Sequence, residues 1–186
     1  FQYTEENPNN EIGNLATKTV ELEDGTTYTA WDMTGVTDIS YMFGATARKA
    51  DDFYIGDLSN WNVSDVTNMA GLFNFPGESD LDWYVGDLSS WDVSNVTNMH
   101  YMFAGAGYQA TNFNVGDLSN WDTGSVTKMS FMFAWAGQNS TEFNIGNLAN
   151  WDTSSVTVMN DMFKETGNHV TNLSLDLSGW DVSAVT

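Results

Sequence analysis

Tryptophan recurs at Trp31, Trp61, Trp91, Trp121 and Trp151, every 30 residues, and Trp180 follows after 29. A spacing held this tightly marks an internal repeat, and repeats of this kind stack into a solenoid. The short last interval comes from one missing glycine. Gly56, Gly86, Gly116 and Gly146 have no counterpart between Leu175 and Asp176. Each repeat is numbered from its Trp as position 1.

The other positions are as regular. Val holds position 6 (Val36 to Val185) and Thr holds position 7 (Thr37, Thr67, Thr97, Thr127, Thr157, Thr186). Ile39 or Met fills position 9, Met or Leu72 position 12, and Phe position 13, among them Phe103 and Phe133. One repeat cannot fold alone. It offers about eight apolar side chains, each worth roughly 1.5–3 kcal/mol on burial, against about 1–2 kcal/mol of backbone entropy for every residue ordered. Stability has to come from stacking repeats over a shared core, with Trp31, Trp61, Trp91, Trp121, Trp151, Phe103 and Phe133 expected in it. Methionine suits positions 9 and 12, because a flexible thioether fills irregular gaps.

Positions 9, 12, 13 and 16 follow the i, i+3, i+4, i+7 stripe of a short amphipathic helix. Thr at position 7 stands where an N-cap belongs, and Gly107, Gly137 and Gly167 stand where a left-handed C-cap would fall. Positions 28, 1 and 3 (Leu118, Trp121, Thr123) have the L-x-x-L-x-L spacing of a leucine-rich-repeat strand, and Phe113 and Val115 point to a second extended stretch. The predicted fold is an α/β repeat solenoid, leucine-rich-repeat-like. It has about five 30-residue turns, each a short parallel strand plus a short helix. Residues 1–30 form an N-terminal segment in which KTVELEDGTTYTA (18–30) reads as a β-hairpin cap turning at Asp24-Gly25. Residues 31–186 form the solenoid, with repeats starting at 31, 61, 91, 121 and 151 and a partial one at 180.

WDVSNVTNMHYMF (91–103), WDTSSVTVMNDMF (151–163) and FNVGDLSNWD (113–122) resemble the bacterial surface-protein short-repeat family, the BspA-like leucine-rich-repeat surface proteins and lipoproteins. The resemblance spans residues 20–186. It departs in the segment after MF, where AGAGYQATN (104–112) is longer than in the commoner form. The resemblance implies a repeat solenoid, secretion to the bacterial cell surface, and adhesion to host proteins, glycans or other cells. It carries over no catalytic residues. A passive stalk that spaces another domain from the cell wall is the alternative. Phe1 in place of Met and a last residue partway through a repeat lead to the expectation that the chain is part of a longer one.

Charge narrows the partners. Five Lys and Arg against 25 Asp and Glu leave a net charge of −20, and phosphate or anionic lipid recognition needs clustered cations. No apolar run approaches the roughly 20 residues of a membrane helix. There are no cysteines, so disulfides and thiolate metal sites are excluded. His100 and His169 fall at different positions of different repeats, and no nucleotide-binding or hydrolase motif occurs. An enzyme is not expected, nor is a cofactor.

Two acidic ladders invite a calcium reading. Position 2 holds Asp32, Asn62, Asp92, Asp122, Asp152 and Asp181; position 27 holds Asp57, Asp87, Asp117, Asn147 and Asp176. Calcium takes such oxygens. Turn N–H groups take them too, accepting Asn as readily as Asp, and Asn62 and Asn147 favour that reading, so no metal is expected. The Thr ladder is read as helix caps rather than as an ice-binding array. Specificity belongs at the variable positions. Tyr101 and Phe131 occupy position 11, on the side of the expected helix away from the core, and Trp135 follows Phe131 by four residues. With Tyr108, Phe75 and Tyr84 they are the candidate ligand-binding residues. The competing reading is that these rings lie flat on neighbouring coils as packing.

Overall fold

In a computed structural model of the chain, residues 17–21, 25, 27–44, 55–75 and 83–186 are described. Asp24, of the expected hairpin turn, lies outside them. An antiparallel pair, β1 (Thr17–Glu21) with β2 (Thr27–Trp31), precedes a run of coils that stack in parallel register. Single parallel bridges join Asp38 to Asn68, Asn68 to Asn98, Asn98 to Lys128, and Lys128 to Val158. Two longer strands, β3 (Asn112–Asn114) and β4 (Glu142–Asn144), pair in parallel in consecutive coils.

The expected helix of each turn is absent. Among the described residues there is no α-helix, and the only helical element is a 3₁₀ turn, Leu118–Asn120, in one coil. Nor do positions 28, 1 and 3 form a strand: that 3₁₀ turn begins at Leu118, and Trp121 and Thr123 follow outside any strand. The α/β, leucine-rich-repeat-like reading is therefore overturned. The reason lies in where backbone N–H groups go between positions 9 and 16. In the third coil, Met99, Tyr101, Phe103 and Gly105 donate sideways to Lys128, Ser130, Met132 and Ala134 of the next coil, at 2.7–3.0 Å. The residues between them close tight turns instead: Met102 donates to Met99, Ala104 to Tyr101, and Ala106 to Phe103. An α-helix needs consecutive right-handed residues and bonds from each N–H to the carbonyl four back. Here every second N–H belongs to the neighbouring coil, and Tyr101, Gly105 and Gly107 have positive φ of 58°, 66° and 57°.

The same geometry corrects the cap assignments. Thr127 donates both its N–H and its hydroxyl to the Thr97 carbonyl, at 2.9 and 3.1 Å, and Thr67, Thr97 and Thr157 repeat the pattern. The Thr ladder ties coils together and caps no helix. Gly107, Gly137 and Gly167 are left-handed but end no helix either.

The stripe at positions 9, 12, 13 and 16 is nevertheless the core. Met99, Met102, Phe103 and Ala106 are fully buried, as are Met129, Met132, Phe133 and Ala136. Trp91, Trp121 and Trp151 are buried, whereas Trp31 and Trp61, at the N-terminal end, are half-buried against the same core. Equal positions stack from coil to coil. Phe43, Phe73, Phe103, Phe133 and Phe163 form one ladder with ring centres 5.3–5.7 Å apart. Trp91, Trp121, Trp151 and Trp180 form another at 6.1–6.5 Å, with ring planes within 5° of parallel. Each of these indoles donates to a Leu carbonyl 32 or 33 residues earlier, as Trp121 does to Leu88 at 3.0 Å.

The carboxylates of both acidic ladders hold turns. The side chains of Asp92 and Asp152 each accept the N–H and hydroxyl of the Ser two residues on. Asp57, Asp87, Asp117 and Asp176 accept a Ser N–H in the same way, and as amides Asn62 accepts the Ser64 N–H and Asn147 the Ala149 N–H. Among the described residues no three Asp, Glu or His are grouped as a metal ion would require.

The Ser94 hydroxyl and then its N–H hold the Asp92 carboxyl below its ordinary pKa. Folding therefore favours the charged form. The stabilisation is fully present above the unfolded value of about 3.9 and is lost as pH falls through the lower folded value. Asp92→Asn is expected to melt within about 0.5 kcal/mol of the parent at pH 7, because the amide oxygen keeps the turn. Asp92→Ala should lose about 1 kcal/mol with those hydrogen bonds. Thermal melts of both variants at pH 7 and pH 3 check this. Equal losses for Asn and Ala at pH 7 would mean that the charge, not the turn, matters.

Candidate functional site

Among the described residues seven non-glycine residues have positive φ, and five are aromatic: Tyr41, Phe75, Tyr101, Phe131 and Trp135. All fall at positions 11 and 15, where glycine also occurs, at Gly71 and Gly105. A left-handed conformation costs an ordinary residue roughly 1–2 kcal/mol. Glycine adopts it freely, so the backbone alone asks for glycine here and not for a ring.

The rings and glycines fit one another. A Cβ on Gly71 would collide with the Tyr41 ring, and one on Gly105 with the Phe75 ring, so each ring lies across the glycine of the next coil. Where two rings meet, they stack: Tyr101 on Phe131 at 4.8 Å and 8°, and Phe131 on Trp135 at 6.2 Å and 14°. Phe75 reaches over Gly105 to within 6.0 Å of Trp135. Phe131 and Trp135 are neighbours as the four-residue spacing predicts, but through two left-handed residues and not along a helix. His100 packs edge-on against Tyr101 at 4.2 Å and is half-buried, and that burial holds its pKa below the ordinary value.

Three of the six candidates, Phe75, Tyr108 and Trp135, converge on one open cleft of about 410 Å³. Gln109, Gln138 and Glu165 line it as well. Tyr101 and Phe131 continue the aromatic band away from the cleft. Tyr84, 47% exposed, lies in a separate, wider groove with Trp83, Asp87, Asn112, Asn114 and Asn144. The competing reading of the rings as packing has its part: all but Tyr84 are half-buried, and Tyr101 and Phe131 cover each other.

Sequence reasoning missed the polar wall. Gln138 donates through Nε2 to Glu165 Oε2 at 2.7 Å, and Asn139 donates to Gln109 Oε1 at 3.0 Å. Lys164 Nζ lies 5.5 Å from the centre of the Trp135 ring, a cation–π contact. The available signal was Gln109 and Asn139, 30 residues apart at position 19, where an amide ladder can form.

The sequence profile of the family described as "Mycoplasma protein of unknown function, DUF285" matches residues 10–139 and, a second time, residues 107–186. No curated protein and no solved structure matches the chain. No helix among the described residues is long and apolar enough to cross a membrane.

Proposed function

We propose that this chain, which belongs to the DUF285 family, is a ligand-binding module displayed on a bacterial cell surface, where it recognises host proteins, glycans or other cells. The observation that carries this reading is the set of strained aromatic residues on one face. Phe75, Tyr101, Phe131 and Trp135 stand at left-handed positions that Gly71 and Gly105 occupy elsewhere without strain. Backbone strain of about 1–3 kcal/mol per residue is characteristic of sites where a side chain has work beyond folding. A passive spacer needs the interior ladders only. A cleft walled by aromatic rings, amides and a carboxylate has no part in spacing.

The test uses a Phe131→Gly, Trp135→Gly double variant, because glycine already serves at both positions in other coils, at Gly71 and Gly105. Fluorescently labelled parent and variant are titrated onto immobilised extracellular-matrix glycoproteins and onto epithelial cells. The parent should bind saturably. The variant, melting close to the parent, should bind about 30-fold more weakly, as the loss of about 2 kcal/mol from an aromatic anchor implies. A parent that binds none of these surfaces, or a variant that binds as well as the parent, contradicts the proposal.

A further inference from the structure

We infer that the cleft of Phe75, Tyr108, Trp135, Gln109, Gln138 and Glu165 takes an uncharged pyranose unit of a glycan, an inference that rests on the binding role proposed above. Its volume of about 410 Å³ falls in the range of small-molecule sites, roughly 300–1,000 Å³. None of the six lining residues is aliphatic. A pyranose ring has one face of C–H groups and a rim of hydroxyls. The C–H face packs on flat aromatic rings, and the rim needs planar groups that donate and accept in pairs.

The polar wall supplies such groups. Glu165 Oε2 accepts from Gln138 Nε2, which fixes the orientation of that amide, since turning it over would set two oxygens against each other. The other end of the amide, Gln138 Oε1, is then shut off from solvent without a hydrogen-bond partner. A buried acceptor left unpaired is destabilising. That oxygen is closed to a ligand as it is to water, so the part of Gln138 in the cleft is to hold the Glu165 carboxylate in place through Nε2. Glu165 has a second carboxylate oxygen for a neighbouring hydroxyl. Gln109, with its oxygen taken by Asn139, has an amide N–H₂ to donate.

Charge selects among sugars. The chain carries −20 overall, and among the described residues the cleft's one ionisable wall residue besides Tyr108 is Glu165, a carboxylate. The nearby cation, Lys164, sits over the Trp135 ring. Sialylated, sulfated and uronic acid units would be repelled. Neutral hexoses and N-acetylhexosamines would not.

The experiment is saturation-transfer NMR and array binding of the full chain. The probes are lactose, N-acetyllactosamine, chitobiose, maltose and mannobiose, beside sialyllactose and a heparin tetrasaccharide. At least one neutral probe should bind and the two acidic ones should not. Trp135→Gly and Glu165→Gln should each weaken that binding about tenfold or more. Gln138→Met should weaken it too while melting no lower than the parent, because the unpaired oxygen goes with the amide. Binding of the acidic probes in preference, or neutral binding untouched by all three variants, overturns the inference. If no sugar binds but the matrix glycoproteins are held through Phe131 and Trp135 after enzymatic deglycosylation, the partner is protein. The inference then falls while the proposed function stands. If neither sugar nor protein binds, both fall.

Discussion

Trp121→Ala is expected to destabilise the chain by about 3–5 kcal/mol, the range of large aromatic truncations in cores. Trp121 is 3% exposed and lies between Trp91 and Trp151, with ring centres 6.5 and 6.1 Å away. Its indole N–H also satisfies the Leu88 carbonyl. Truncation therefore removes two stacking contacts, opens a cavity that the flanking coils cannot close without breaking register, and takes one of two donors from the Leu88 carbonyl, which keeps the Trp91 N–H. Because each coil touches only its neighbours, the damage falls at the centre of the stack. Urea unfolding of parent and variant measures it. A loss under about 1 kcal/mol would mean that the Trp ladder is not what holds the coils together.

Gly116→Ala is expected to cost about 2 kcal/mol or more, far beyond an ordinary surface change. Gly116 has φ +87°, which strains any residue with a Cβ, and that Cβ would collide with Asp87 Oδ1 of the preceding coil. The same oxygen accepts the Ser89 N–H at 2.9 Å, so it cannot move aside without releasing a turn. Gly86 and Gly146 make the same approach to Asp57 and Asp117, which explains why glycine recurs one residue before the acidic ladder. In an Asp87→Ala background the collision disappears and only the strain remains. The cost of Gly116→Ala should then fall by roughly half, a coupling that a double-mutant cycle reads directly. An unchanged cost would place the whole effect in the backbone.

The repeat, its register and its core residues were legible because identical positions stack, and stacking demands identity. Position 13 is always Phe since each ring packs on its own copy. The acidic ladders were legible for a similar reason: Asn62 and Asn147 keep the turn that Asp makes. Helix was the wrong reading of positions 9–16, although the apolar stripe there is real. Spacing of three and four residues reports which side chains are buried, and a chain of tight turns buries the same ones as a helix does. What decides between the two is where each N–H points. That depended on left-handed residues such as Tyr101 and Phe131, whose side chains give no hint of positive φ. Gly71, at the same position, was the clue. Of the candidate site, the rings were legible as variable aromatics. Gln138 and Glu165 were not, because their pairing crosses two coils and joins positions 18 and 15.

Backbone N–H groups bridge from coil to coil in place of helices. NMR scalar couplings across hydrogen bonds test this most directly, since they identify donor and acceptor for individual N–H groups. Couplings should join Thr127 N–H to the Thr97 carbonyl and Phe103 N–H to the Met132 carbonyl, partners set 2.9 and 2.8 Å apart. Couplings within residues 99–107 that instead join each N–H to the carbonyl four residues back would restore the helix and contradict the coil-to-coil ladder.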